Sequence, residues 1–195
     1  GPKDLSNLNA RHRRWSDRAE SIRIEPAPTS KWLMRAYKAN KGIRHPMYPG
    51  LLDSVGLTTV PWVTLTSNGD FRNAVPGIPN ANYAAEWFGN LKIVKGGVYN
   101  MCSKSDDGSR IYIDNLLVDN DGGLHGPKKV CADAKLNPGT HLVKVTFFNH
   151  GGGAYEELSY MGPDTGGAHI PVPSISTNNV PAPPKPSAWT MKVFS

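Results

Sequence analysis

Two adjacent carboxylates and a glycine, Asp106-Asp107-Gly108, stand between Ser105 and the alternating run Ser109-Arg110-Ile111-Tyr112-Ile113-Asp114. Side by side at a tight turn, two ionised acids repel each other, and folding them together is costly unless a cation or several N–H donors neutralise them. Calcium suits such a corner, because it is a hard cation that takes oxygen ligands in an irregular geometry that loops can supply. The tetrapeptide alone reads more readily as a solvated Asp-Asp-Gly turn. The choice therefore rests on what the rest of the chain places around it.

Other chemistry is sparse. Glu156 and Glu157 are adjacent, so on a strand they point to opposite faces and cannot flank one substrate bond as a glycosidase pair does. His125, His141 and His150 are scattered, and no Ser or Cys sits in a nucleophile-elbow context. The expectation is a protein that binds rather than an enzyme. The only cysteines, Cys102 and Cys131, lie 29 positions apart in β-patterned segments. They read as one disulfide, worth about 3–4 kcal/mol by loop closure in an oxidising compartment; the alternative is two buried free thiols in the cytosol. No second pair or histidine at ligand spacing supports zinc.

The elements that must carry these groups are strands. With 195 residues, 38% of them hydrophobic, the chain can bury one substantial core. Gly 20 and Pro 17 punctuate short Val-, Ile- and aromatic-containing runs, an all-β texture. Lys31–Tyr37 reads as a first strand, 42–56 as a long loop and Pro61–Thr66 as a short strand, while Asn68–Asn82 reads as irregular. Tyr83–Val94 is a strand with Ala85, Trp87, Leu91 and Ile93 on one apolar face, turned by Lys95-Gly96-Gly97 into a return through Val98–Ser103. A hairpin follows, Arg110–Ile113 and Leu116–Asp119 about the turn Asp114-Asn115, then a loop from Asn120 to Gly126. Strands at Lys128–Ala132, His141–Phe148 and Glu157–Met161 complete a spacing of about 8–12 residues typical of an antiparallel sandwich or barrel.

The flanks differ. Residues 1–30 form a basic tail holding Arg11, Arg13, Arg14, Arg18 and Arg23, with a marginal helical pattern from Asn9 to Ile24. The net charge of +6 thus belongs largely to a tail, and no nucleic-acid-reading motif follows it. No apolar run of about 18 residues exists, so no membrane-inserting helix is expected. Gly1-Pro2 reads as a protease scar, which makes the absence of a signal peptide uninformative. Residues 31–165 form the expected domain. From 166 to 195, Pro171, Pro173, Pro181, Pro183, Pro184 and Pro186 favour an extended linker or a strap across the surface.

Taken together, Tyr83 to Asp164 resembles the β-sandwich module first described in anthrax protective antigen and found also in yeast flocculins, fungal and bacterial adhesins and some glycosidases. The match rests on Glu86-Trp87-Phe88-Gly89-Asn90-Leu91 with Gly96-Gly97-Val98-Tyr99, on Ser105 to Asp114, on Asn137-Pro138-Gly139-Thr140-His141, and on Phe147 to Ala154 ending in Glu157-Leu158. In the adhesin branch the resemblance implies a Ca2+ site in which the two acids are joined by a cis peptide and a second loop adds oxygens. The open face of the metal then receives vicinal sugar hydroxyls. Carried over by position, Asp106 and Asp107 are first-loop ligands, with Asn149 and the carbonyls of Gly151 and Gly153 from the second loop. His150, Tyr155 on its loop and Asp121 are candidate ligand contacts, with Trp62 a further aromatic. Asp119 and Asp121 are also near enough in sequence to be ligands, though they read more readily as an ordinary acidic hairpin loop. The resemblance implies a calcium-dependent lectin-like adhesion module at the cell surface or outside it, taking a glycan or glycoprotein and joined to other domains of a larger chain. The alternative is a structural or protein-interaction sandwich that does not depend on metal.

Overall fold

The computed structural model describes residues 31–39, 42–43, 52–177 and 181. The basic N-terminal tail with its helical pattern, much of the loop expected over 42–56 and the end of the proline-rich segment lie outside the described residues.

Eleven strands and one short helix are present in the described residues. In chain order they are β1 (Trp32–Lys38), β2 (Asp53–Val60), β3 (Thr64–Leu65), α1 (Asn68–Ala74), β4 (Tyr83–Ile93), β5 (Gly97–Asp106), β6 (Ser109–Ile113), β7 (Leu116–Asp121), β8 (Lys128–Leu136), β9 (Gly139–Asn149), β10 (Tyr155–Met161) and β11 (Ile170–Pro171). One sheet runs β2-β1-β4-β9-β6-β7 and the other β11-β10-β5-β8, with β3 added to β10. All pairings are antiparallel. The result is the expected antiparallel β-sandwich.

Period-2 alternation fills the space between the sheets. Met34, Trp87, Ile111, Val145 and Phe147 from one sheet meet Tyr99, Met101 and Leu158 from the other, all buried. Each fully buried side chain of this size contributes about 1.5–3 kcal/mol, so this interior dominates stability. The β6–β7 turn has Asp114 and Asn115 at φ 49° and 69°, the left-handed pair that matches hairpin twist. Cys102 and Cys131 are register partners on β5 and β8 and form a disulfide with S–S 2.11 Å.

Two segments differ from expectation. The run expected to be irregular over 68–82 begins with α1, whose N-cap Ser67 accepts from Asp70 N while Asp70 accepts from Thr66 N. Its Phe71 stacks on Phe147 at 4.9 Å, and that burial offsets the weak helix propensity of Asn and Gly. The long loop ends early, because Asp53–Val60 pairs along β1 as an edge strand, Gly56 opposite Ala36. Past 165, β11 pairs with β10, and Val172 and Ser174 are buried against the sandwich. Among the described residues no helix is long and apolar enough to cross a membrane.

Candidate metal and ligand site

At one end of the sandwich β5 passes to β6 through Asp106, Asp107 and Gly108, and the Asp106–Asp107 peptide is cis. Gly108 is required there: a Cβ would stand 2.5 Å from Phe148 Cε1 and 2.7 Å from the Gly123 carbonyl oxygen. The close approach brings two loops onto the acids. His150 N donates to Asp107 Oδ2 at 2.8 Å and His125 N to Asp107 Oδ1 at 3.3 Å. One carboxylate thus fastens the loop after β7 and the loop after β9 to the same corner. Asp106 is half-buried, and burial together with the charge of Asp107 raises its carboxyl pKa, with His125 opposing. The second loop closes on it, since a Cβ on Gly153 would lie 3.0 Å from Asp106 Oδ2.

Asn149, the last residue of β9, is 0% exposed. Its Nδ2 donates to Asn68 Oδ1 at 3.0 Å, and the same Asn68 oxygen accepts from Tyr83 Oη at 3.0 Å. Asn68 Nδ2 in turn donates to the Gly152 carbonyl at 2.8 Å. With its nitrogen committed, Asn149 Oδ1 is buried with no hydrogen-bond partner. Leaving a buried acceptor unpaired costs about 1–3 kcal/mol. An oxygen-seeking cation would remove that cost.

Among the described residues no three His, Cys, Asp or Glu side chains converge in a metal-holding arrangement. A cation at this corner must therefore combine two carboxylates with neutral oxygens, a donor set that calcium accepts and zinc does not favour. Asp106, Asp107 and Asn149 Oδ1 provide the side-chain part, and the carbonyls of Gly151 and Gly153 belong to the same loop. The N–H bonds to Asp107 do not exhaust it, because each carboxylate oxygen offers about two lone-pair directions. These residues fit calcium.

The other candidates are placed unequally. His150 commits its backbone to Asp107 and leaves its side chain exposed, with Nε2 3.1 Å from where a Cβ on Gly42 would be. Tyr155 is on β10 rather than a loop, opposite Asp106 in register. It is half-buried, donates to Glu157 Oε2 at 2.6 Å and has Lys104 Nζ 4.6 Å from its ring centroid. Trp62 is half-buried between β2 and β3. Asp121 lies beside the corner, its carbonyl oxygen 2.9 Å from where a Cβ on Gly108 would be, with its side chain buried. Because β7 continues to Asp121, alternation turns Asp119 and Asp121 inward instead of leaving them on a hairpin loop.

Inside, Asp121 accepts from Lys128 Nζ at 2.8 Å and lies 3.0 Å from His125 Nε2. Across the sandwich, Glu156 Oε1 accepts from Ser103 Oγ at 3.0 Å. Ser105 and Ser109 add buried hydroxyls. Burial raises the Glu156 carboxyl to about 8, with the charges of Asp119 and Asp121 acting the same way; burial raises Asp119 as well. Sequence names Asp119, Asp121 and Glu156 separately but does not join them into this inner acid group. Its only signal is parity: Ser103 and Ser105 continue the inward row of Tyr99 and Met101. Asn68, which fixes both Asn149 and the Gly152 carbonyl, had no local signal.

A family model described as PA14 domain matches residues 64–172. No curated protein matches the chain. Among solved structures, the PA14 domain of the MpAFP antifreeze protein superposes with TM-score 0.63 at 13% identity, covering 75% of this chain and 90% of that one. The PA14 sugar-binding domain from an RTX adhesin gives 0.61 at 15% identity, covering 74% and 98%. An anti-sigma factor domain-containing protein gives 0.63 at 15% identity over 80% of this chain, which spans about half, 51%, of that protein. The Epithelial Adhesin 6 A domain from Candida glabrata, solved in complex with Galb1-3GlcNAc, gives 0.51 at 10% identity, covering 78% and 90%. At these identities the superpositions speak for the fold, while the family model spans more than half of the sequence: the chain belongs to the PA14 domain family.

Proposed function

We propose that this domain is a calcium-dependent carbohydrate-recognition module that serves adhesion outside the cell or at its surface, as part of a larger chain. The observation that carries the reading is the buried, unpartnered Asn149 Oδ1 held beside the Asp106–Asp107 corner. The sugar-binding RTX adhesin domain and the disaccharide-bound Candida glabrata domain support the ligand class. The disulfide supports an oxidising location.

When bound, calcium would supply direct coordination of vicinal sugar hydroxyls. The protein's own residues prepare the site. Asp107 draws both loops in through two backbone N–H bonds, and Asn68 sets the Asn149 amide so that its oxygen is left free for a cation. His150 and Tyr155 flank the corner, an exposed imidazole and a half-buried ring, and give a sugar one polar and one apolar neighbour. Glu156 and Glu157 are not placed as a catalytic pair: Glu156 is sealed in the interior, and Glu157, the next residue on β10, faces the other way.

The test is a glycan array probed with calcium and again with chelator, alongside thermal melting under both conditions. Calcium should raise Tm, and glycan signals should vanish with chelator. A Tm gain without any glycan signal would replace the reading by a metal-stabilised protein-binding domain. Glycan binding indifferent to chelator would remove calcium from it.

A further inference from the structure

The outer face of the larger sheet should be wet on a two-layer sandwich, yet its centre is covered. Arg35, Glu86 and Thr146 are register partners across β1, β4 and β9, and they alternate with the core residues Met34, Trp87 and Val145, so they point away from the interior. Even so, Arg35, Glu86 and Thr146 are 7%, 6% and 6% exposed, and neighbouring Phe88 is 4% exposed. Something lies over this row.

Two contacts identify it. The chain leaving β11 is fixed at Asn90, whose backbone exchanges hydrogen bonds with Ser176 O at 3.2 Å and Ile175 N at 2.8 Å, and whose Nδ2 donates to Ser176 O at 2.9 Å. Farther along the same face, Arg35 Nη2 donates to the Pro181 carbonyl.

The chemistry of the face agrees. A proline-rich segment offers carbonyl acceptors and few N–H donors. Here the face presents donors: Arg35 Nη2 is used, while Arg35 Nε and Thr146 Oγ1 are buried with no hydrogen-bond partner. Arg35 also lies 4.8 Å over the Phe88 ring, giving the flat apolar seat on which proline rings pack. We infer that this outer face is a docking surface for a proline-rich polypeptide, and that its occupant is a strap from the chain's own C-terminal segment, the part that holds Pro181.

Site-resolved modification of arginine by phenylglyoxal, read by mass spectrometry, tests this in the full chain and in a chain ending at Thr177. Arg35 should react slowly in the full chain and roughly tenfold faster in the shortened one, as expected when a locally docked segment is removed. The exposed Arg72 serves as the control and should not change. If the shortened chain loses its β signal, a full-length chain with 178–186 replaced by glycine and serine should show the same gain. Equal Arg35 reactivity with and without the segment overturns the proposal: fast in both means no strap, and slow in both means that another segment or a second copy covers the face.

Discussion

Two groups of acids lie close together in this domain and are handled in opposite ways. Asp119, Asp121 and Glu156 face into the sandwich, where Lys128 pairs with Asp121 and Ser103 with Glu156, burial raises the Glu156 carboxyl, and Asp119 Oδ2 and Glu156 Oε2 have no hydrogen-bond partner. Asp106 and Asp107 turn to the rim, where backbone N–H groups satisfy only Asp107 and the nearby Asn149 Oδ1 has no partner. His125 touches both groups, through its backbone on Asp107 and its ring beside Asp121. Acid content therefore does not distinguish a binding site from a structural cluster. Nor do unpaired buried oxygens, since Asp119 Oδ2 and Glu156 Oε2 inside lack partners as Asn149 Oδ1 does; what distinguishes the corner is that loops, rather than sheets, enclose it.

The sharpest way to break the contrast is Asp107→Ala. It removes the acceptor for His125 N and His150 N and unties both loops, with an expected loss of about 2–4 kcal/mol by chemical denaturation and no remaining calcium response in the melt.

The inner group should instead respond to pH. Glu156 has its carboxyl raised from an ordinary value of 4.5 to about 8, so the folded chain holds a proton that the unfolded chain releases. Stability from this group is fully present below 4.5 and is lost as pH rises through about 8, a change of a few kcal/mol. Glu156→Gln mimics the protonated form and should flatten the profile measured by urea unfolding across that window. Calcium affinity at fixed pH should be unchanged. A Glu156→Gln chain that keeps the full pH dependence would assign it to other groups.

Asn68→Ala sharpens the comparison from the side of the corner. It frees the Asn149 amide, the Tyr83 hydroxyl and the Gly152 carbonyl, at a cost of about 1–2 kcal/mol in stability. The effect on calcium affinity should be larger than on stability, because a freed amide can turn its nitrogen toward the cation. Smallest is Tyr155→Ala, expected to weaken glycan binding by roughly tenfold or less while leaving calcium affinity unchanged in calorimetry.

What the sequence made legible follows from range. Alternation over Tyr83–Val94 marked β4, the shorter runs Val98–Ser103 and His141–Phe148 marked β5 and β9, and the glycine-bounded order of motifs located the corner at Asp106 and the loop after Phe148. α1 was lost because Asn68-Gly69-Asp70 has loop composition; its helix depends on Ser67 capping and on Phe71 reaching Phe147 across the core. The inward carboxylates of Asp119 and Asp121 were not legible because the strand runs on to Asp121, and its alternation turns both residues to the buried face. Asn68 is separated by 81 and 84 positions from the residues it fixes, and no local pattern encodes that contact.

The central claim is that the corner, and not the inner acids, holds a cation. Calcium titration by isothermal calorimetry of the parent chain, Asp107→Asn and Glu156→Gln tests it most directly. The parent and Glu156→Gln should bind one calcium with similar affinity, and Asp107→Asn, which removes one formal charge at constant volume, should bind at least about tenfold more weakly. Absence of binding to the parent chain, or equal affinity in Asp107→Asn with loss in Glu156→Gln, would contradict the account.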